Sequence, residues 1–144
     1  MNTTQQFAMG DTATSQKIGP ISRTDFVRYA GAGGDFNPIH HDEYFARQAG
    51  YPSVFGHGLL TAGLLSTFVT GWLGQDKLTK FSVRYTDQVW PGDELWASGE
   101  VTHRIDDDAA ATIECDLWVH AAAPDEERRL VLQGSASACI HQEV

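Results

Sequence analysis

Asp35 and His40 stand five residues apart in the run from Tyr29 to His41, which reads Y-A-G-A-G-G-D-F-N-P-I-H-H. A carboxylate and an imidazole that share one loop form a two-residue device for moving a proton. Asn37 and Pro38 shape the connection between them. Pro38 fixes its own φ and forbids helix at Asn37, so the loop is stiff enough to hold acid and imidazole in one geometry. A second unusual segment, Phe55-Gly56-His57-Gly58, opens the most apolar stretch of the chain. If a helix starts there, its end carries partial positive charge and can face the pair.

The flanking sequence supplies the elements that would position these groups. Residues 1–10 read as a flexible lead-in to a single domain covering 1–144, and Thr12 to Ile21 as a short extended segment closed by Gly19-Pro20. Ser22 is a good N-cap with Asp25 three positions on. Phe26, Tyr29 and Ala30 then form one apolar stripe before the glycines at 31, 33 and 34 stop the helix. A further short helix spans Asp42 to Ala49 and ends at Gly50. From Gly58 to Leu73 the chain is apolar on nearly every face. It is shorter than the roughly 18 residues a membrane span needs, so it is expected as a helix buried in a core, with Gly63 and Gly71 enclosed closely by other backbone.

Alternation of apolar and polar residues dominates the rest. Strands are expected at Phe81 to Thr86, Leu95 to Thr102, Ala111 to Val119 and Leu130 to Ile140, separated by turns at Trp90 to Asp93, Asp106 to Asp108 and Pro124 to Glu127. Gly134, Ala136 and Ala138 share one face of the last strand and leave room for something bulky. One apolar helix followed by four alternating strands, with a short strand ahead, implies an α+β domain in which an antiparallel sheet curls around a central helix, the hot-dog fold. Such a unit leaves one side of its helix and a sheet edge short of cover, so pairing of two subunits is expected, with sites where they meet.

Composition excludes several function classes. The chain has 144 residues, with 19 acidic against 10 basic side chains and a formal charge of −9, so a phosphate backbone is a poor partner and nucleic acid is not expected. The N-terminus has neither a basic start nor an apolar core of signal-peptide length, so the protein is expected to stay in the cytoplasm, off the membrane. Cys115 and Cys139 lack C-x-x-C spacing and fall in expected strands, which makes them buried thiols rather than a disulfide or metal pair.

Three motifs carry a family resemblance: Y-A-x-x-x-G-D-x-N-P-I-H at 29 to 40, H-G-L at 57 to 59, and the W-P-G-D-x-L turn at 90 to 95. Together they resemble the MaoC-like, R-specific enoyl-thioester hydratases, and most closely their single-domain bacterial members, including the dehydratase subunits of mycobacterial fatty-acid elongation. The chain departs from the family pattern in Gly33, where many relatives have Ser, and in Phe55-Gly56, where an apolar pair is usual. The resemblance implies reversible addition of water across the trans-2,3 double bond of an acyl thioester, giving an (R)-3-hydroxyacyl product. It also implies a coenzyme A or acyl carrier protein thioester as substrate, no cofactor, and a homodimer or a heterodimer. Carried over residue by residue, it implies that Asp35 orients and deprotonates water and that His40 shuttles the proton to C2, a division that could be reversed. In the same reading Asn37 holds the loop by hydrogen bonding, the Gly58 N–H receives the enolate oxygen, His57 positions that turn, and Ser66 lines the acyl pocket.

Blander readings stand beside these. An Asp near a Gly-Gly turn is often only a cap or turn former, and Asn-Pro-x-His can be a rigid connection; the ordered sequence of motifs favours chemistry. A metal held by His40, His41 and His57 is not expected, because adjacent histidines on a Pro-stiffened loop rarely aim at one ion and no carboxylate or cysteine joins at ligand spacing. His41, His103, His120 and His141 are expected on the surface or on strand faces, and Ser66 can equally bond its own helix backbone. Two rivals remain within the fold. One is thioester hydrolysis, which lacks its usual acid because no Asp or Glu occurs between Gly50 and Gln75. The other is a non-catalytic acyl-binding subunit of a heterodimer, which would have no need of both Asp35 and His40.

Overall fold

A computed structural model describes residues 6–141. In chain order they form β1 (Gln16–Ile18), α1 (Arg23–Gly33), a short 3-10 turn (Pro38–His40), α2 (Glu43–Gln48), α3 (Gly58–Leu73), β2 (Leu78–Tyr85), β3 (Glu94–Asp106), β4 (Ala110–Ala122) and β5 (Arg129–His141). The five strands make one antiparallel sheet in the order β1-β3-β4-β5-β2, so the two edges are the first strand and the strand that leaves α3. Alternation decides what faces inward. Leu95, Ala97 and Val101 of β3, and Ile113, Cys115, Leu117 and Val119 of β4, are buried against Leu65, Val69 and Leu73 of α3. This is the hot-dog arrangement expected from the pattern, and α3 keeps the bounds read from its sequence. No helix among the described residues is long and apolar enough to cross a membrane.

Tight packing between helix and sheet requires glycine at Gly99, where a Cβ would lie 2.7 Å from the ring of Trp72. A seat for a bulky ring therefore lies on β3. On β5, Ala136 and Ala138 are buried in the same core as α3, while a Cβ at Gly134 would lie 2.5 Å from the backbone oxygen of Ser82, so that glycine admits the neighbouring strand.

Two further expectations are corrected. Residues 1–5 lie outside the described residues, but the remainder of the lead-in is anchored. Phe7 is 3% exposed, its ring meets Trp72 edge-on at 6.1 Å, and its carbonyl accepts a 2.6 Å hydrogen bond from Arg104 Nη1. Gly10 N–H adds a 2.8 Å bond to the Val101 carbonyl, and Thr12 forms an isolated bridge with Glu100 before the three-residue β1. An apolar side chain at position 7 finds the open end of the core, which composition alone did not signal. Nor is α3 enclosed all round. Leu59 is 66% exposed, and nothing lies within 4 Å of where a Cβ would stand at Gly63 or Gly71. The sheet of one chain covers only one side of the helix.

Candidate active site

Ser22 and Asp25 cap α1 reciprocally: the Ser22 side chain accepts from Asp25 N–H at 3.2 Å, and the Asp25 carboxylate accepts from Ser22 N–H at 2.8 Å. The helix then runs to Gly33, past the first of its glycines, and ends at Gly34, whose φ of 72° lies in the left-handed region that glycine enters freely. Asp35 follows at once. Its carboxylate accepts from Asn37 N–H at 3.2 Å, and the Asn37 side chain accepts from Ile39 N–H at 3.1 Å. With Pro38 fixing the next φ, these two bonds fold the chain into the 3-10 turn that delivers His40.

His40 is 8% exposed. Its Nδ1 lies 2.8 Å from the Phe55 carbonyl, which can only accept, so Nδ1 carries the proton and Nε2 is bare in the neutral ring. That Nε2 lies 3.8 Å from Asp35 Oδ2, too far for a direct hydrogen bond and a span that one water can bridge. Burial holds the His40 pKa below the ordinary imidazole value; the Phe55 bond and Asp35 oppose that shift, while His57 and His41 reinforce it. The ring therefore favours its neutral, proton-accepting form.

His57, only 2% exposed, fastens this pair to the central helix. Its ring stacks on His40 at 3.8 Å with 27° between planes, and its Nε2–H donates to the Asp35 carbonyl at 3.0 Å. His57 is also the N-cap of α3, so the Asp35–His40 pair abuts the helix end where Gly58 presents its N–H. Its Nδ1 is buried with no hydrogen-bond partner among the described residues, an arrangement that costs about 1–3 kcal/mol.

The structure corrects the statement that no carboxylate joins the histidines. One ligand-type atom from each of Asp35, His40 and His57 lies within 4.8 Å of the others, while His41 stays exposed on the turn. Metal ligation requires convergent lone pairs, however, and the two stacked imidazoles hold theirs in nearly parallel planes 3.8 Å apart. The His57 nitrogen that faces Asp35 also carries the proton it donates. The trio is a carboxylate and two stacked imidazoles held together at the start of α3.

Glycine is demanded twice at the entry to α3. A Cβ at Gly56 would lie 2.8 Å from the Phe26 ring, and one at Gly58 would lie 2.9 Å from the ring of Tyr85. Tyr85, half exposed at the end of β2, and Tyr29, whose ring lies 4.9 Å from His57, are the wall residues that sequence reading missed. In the sequence Tyr85 is one of the alternating residues between Phe81 and Thr86, with nothing to tie it to Gly58. The W-P-G-D turn holds the entry from behind: buried Asp93 accepts from Trp90 N–H at 2.8 Å and pairs with Arg129, and Gly56 N–H donates to the Val89 carbonyl at 2.9 Å. Ser66, two turns along α3, donates to the Gly63 carbonyl at 2.7 Å.

An antiparallel sheet wrapped around one apolar helix, with a carboxylate and an imidazole fastened to the N-terminus of that helix, defines a hot-dog protein equipped for acid–base chemistry. Residues 4–119 match the model of the MaoC-like domain family, and the chain belongs to that family. It is 31% identical over 126 residues to the (R)-specific enoyl-CoA hydratase of Aeromonas caviae, an alignment that covers 78% of this chain and 90% of that protein. It is 32% identical over 117 residues to fatty acid synthase 2 of Mycosarcoma maydis, covering 75% of this chain but only 3% of that far longer protein. Among solved structures, the ChsH1-ChsH2 complex from Mycobacterium tuberculosis superposes with a TM-score of 0.78 at 22% identity, covering 94% of this chain and 99% of the matched one.

Proposed function

We propose that this protein catalyses the reversible hydration of trans-2-enoyl thioesters to (R)-3-hydroxyacyl thioesters. The observation that carries this reading is the Asp35–His40 pair, 3.8 Å apart and bound through His57 to the N-terminus of α3. Hydration adds OH to C3 and H to C2, so a water must give up a proton while the enolate carbon gains one. A water lodged between Asp35 Oδ2 and His40 Nε2 loses its proton to the pair as its oxygen bonds to C3, and the pair returns a proton to C2. The division of labour belongs to the two groups together. While the ring holds the proton, the Nδ1–H bond to the Phe55 carbonyl stabilises the imidazolium. Negative charge that develops on the thioester oxygen meets the Gly58 N–H and the positive end of α3.

The name of the Aeromonas relative and the matched family support the same chemistry. The open face of α3 supports a dimer, and the Mycobacterium complex is a precedent for two different chains. The thioester carrier is coenzyme A or acyl carrier protein. The test is to incubate the purified chain with crotonyl-CoA and follow enoyl absorbance beside free thiol. Absorbance should fall with no thiol released and with the R product formed. Thiol release without hydration would sink the proposal in favour of hydrolysis, and absence of both reactions would favour a binding subunit.

A further inference from the structure

Residues 86–93 join β2 to β3, and one side chain of β5 grips this loop at both ends. Arg129 donates from Nη2 to the Gln88 carbonyl at 3.0 Å and to the Asp93 carboxylate, and its Nε lies 3.5 Å from the carboxylate of Asp87. Asp93 is 2% exposed, and the oxygen that meets Arg129 also accepts from Trp90 N–H. We infer that Arg129 is a positioning residue for the hydration: through this loop it fixes which nitrogen of the His40 ring carries the proton.

This role rests on the proposed hydration for its effect on rate, but the link from Arg129 to His40 is geometric. It passes through a single peptide plane, the one between Phe55 and Gly56. The carbonyl of that plane accepts the His40 Nδ1–H at 2.8 Å, and its N–H donates to the Val89 carbonyl at 2.9 Å. A peptide unit is rigid, so its C=O and N–H turn together. When Val89 shifts, the plane turns with it and its oxygen leaves the imidazole proton. Trp90 adds a second hold, its ring meeting that of Phe55 edge-on at 5.8 Å. Val89 and Trp90 lie between the two places that Arg129 grips. Backbone bonds from Asp93 and Gly92 to Ile21 secure the far end of the loop, so what depends most on Arg129 is Gln88, directly beside Val89. The guanidinium suits this task because one planar fork serves several acceptors at fixed angles. An ammonium can pair with Asp93 but is a point charge without that fork.

The experiment compares the full chain with Arg129→Lys, and with Arg129→Gln combined with Asp93→Asn, which removes both charges together so that neither is left buried alone. Hydration of crotonyl-CoA, the melting midpoint and the imidazole 15N spectrum are followed in each. The natural chain should show His40 protonated at Nδ1. In both variants kcat should fall by about tenfold or more while KM stays within about twofold, because Arg129 acts on the His40 ring and not on the substrate. The His40 resonances should move toward a mixture of tautomers. A folded variant that keeps the natural His40 spectrum would overturn the inference, as would an altered spectrum with kcat unchanged. Loss of folding in both variants would overturn it too, since Arg129 would then serve stability alone. A natural chain that leaves crotonyl-CoA unhydrated would instead overturn the proposed reaction, while the spectra still decide whether Arg129 governs the tautomer.

Discussion

Strands β3, β4 and β5 hold one another through antiparallel ladders that run almost their whole length, and each buried side chain on them has several buried neighbours. Between residues 34 and 58 the chain is held differently. One side-chain hydrogen bond to a backbone carbonyl fixes each of the His40 and His57 rings, and a few local bonds close the Asn37 turn. The sheet is redundant and the site segment is not. Stability should therefore reside in the first and rate in the second, so the two kinds of substitution should have separable effects.

The sharpest test of that separation is Asp35→Asn. The side chain is 53% exposed and packs little, so unfolding should barely change while hydration falls by about 10²–10⁴ in kcat. A variant that melts early without losing rate would reverse the roles assigned to the two regions. Leu117→Ala in β4 should do the opposite. The residue is fully buried, and its loss costs about 2–5 kcal/mol, which lowers the melting midpoint on the order of 10 °C with kcat at low temperature preserved. Gly58→Ala touches both regions, because the new Cβ must displace Tyr85 of β2 from the helix end. Its kcat/KM should drop by about ten- to a hundredfold, and adding Tyr85→Ser should restore part of it. No recovery in the double variant would mean that the loss does not come from the crowded ring.

The smallest effect is one of pH. Burial places the folded His40 pKa below its unfolded value of about 6.5, so the unfolded chain binds the proton more readily between the two. The contribution to stability is complete above about pH 6.5 and is lost as pH falls through the folded value. The acid limb of kcat/KM should likewise lie below about 6.5, and His40→Gln should remove the His40 share of the stability change. A limb at or above 6.5 would show that burial does not govern this imidazole.

Much of this division was legible in the chain itself. The α3 bounds, the Ser22–Asp25 cap and the inward faces of β3 and β4 follow from periodicity and capping chemistry, which act over a few residues. Asp35 and His40 stood out because five residues with a proline between them leave few geometries. What escaped reading is whatever depends on a distant partner. Phe7 is core only because Trp72 and Arg104 meet it at the far side of the fold. The enclosure of Gly58 comes from Tyr85, 27 positions along the chain and on the strand that leaves α3. The seating of His57 under His40 depends on the Asp35 main chain, and a main-chain acceptor leaves no mark in a sequence because every residue carries one.

The bond from His40 to the Phe55 carbonyl has an evolutionary consequence of the same origin. The proton on Nδ1 answers to the Phe55 carbonyl, a main-chain group, while the Phe55 ring separately meets the imidazole edge-on at 5.4 Å. Drift at that position is therefore filtered by how its ring meets His40, Tyr51 and Trp90, while the tautomer is set by the carbonyl. An inheritance of this kind is carried by the path of the backbone, so residue 55 can change within what those three rings accommodate while the same proton is passed on.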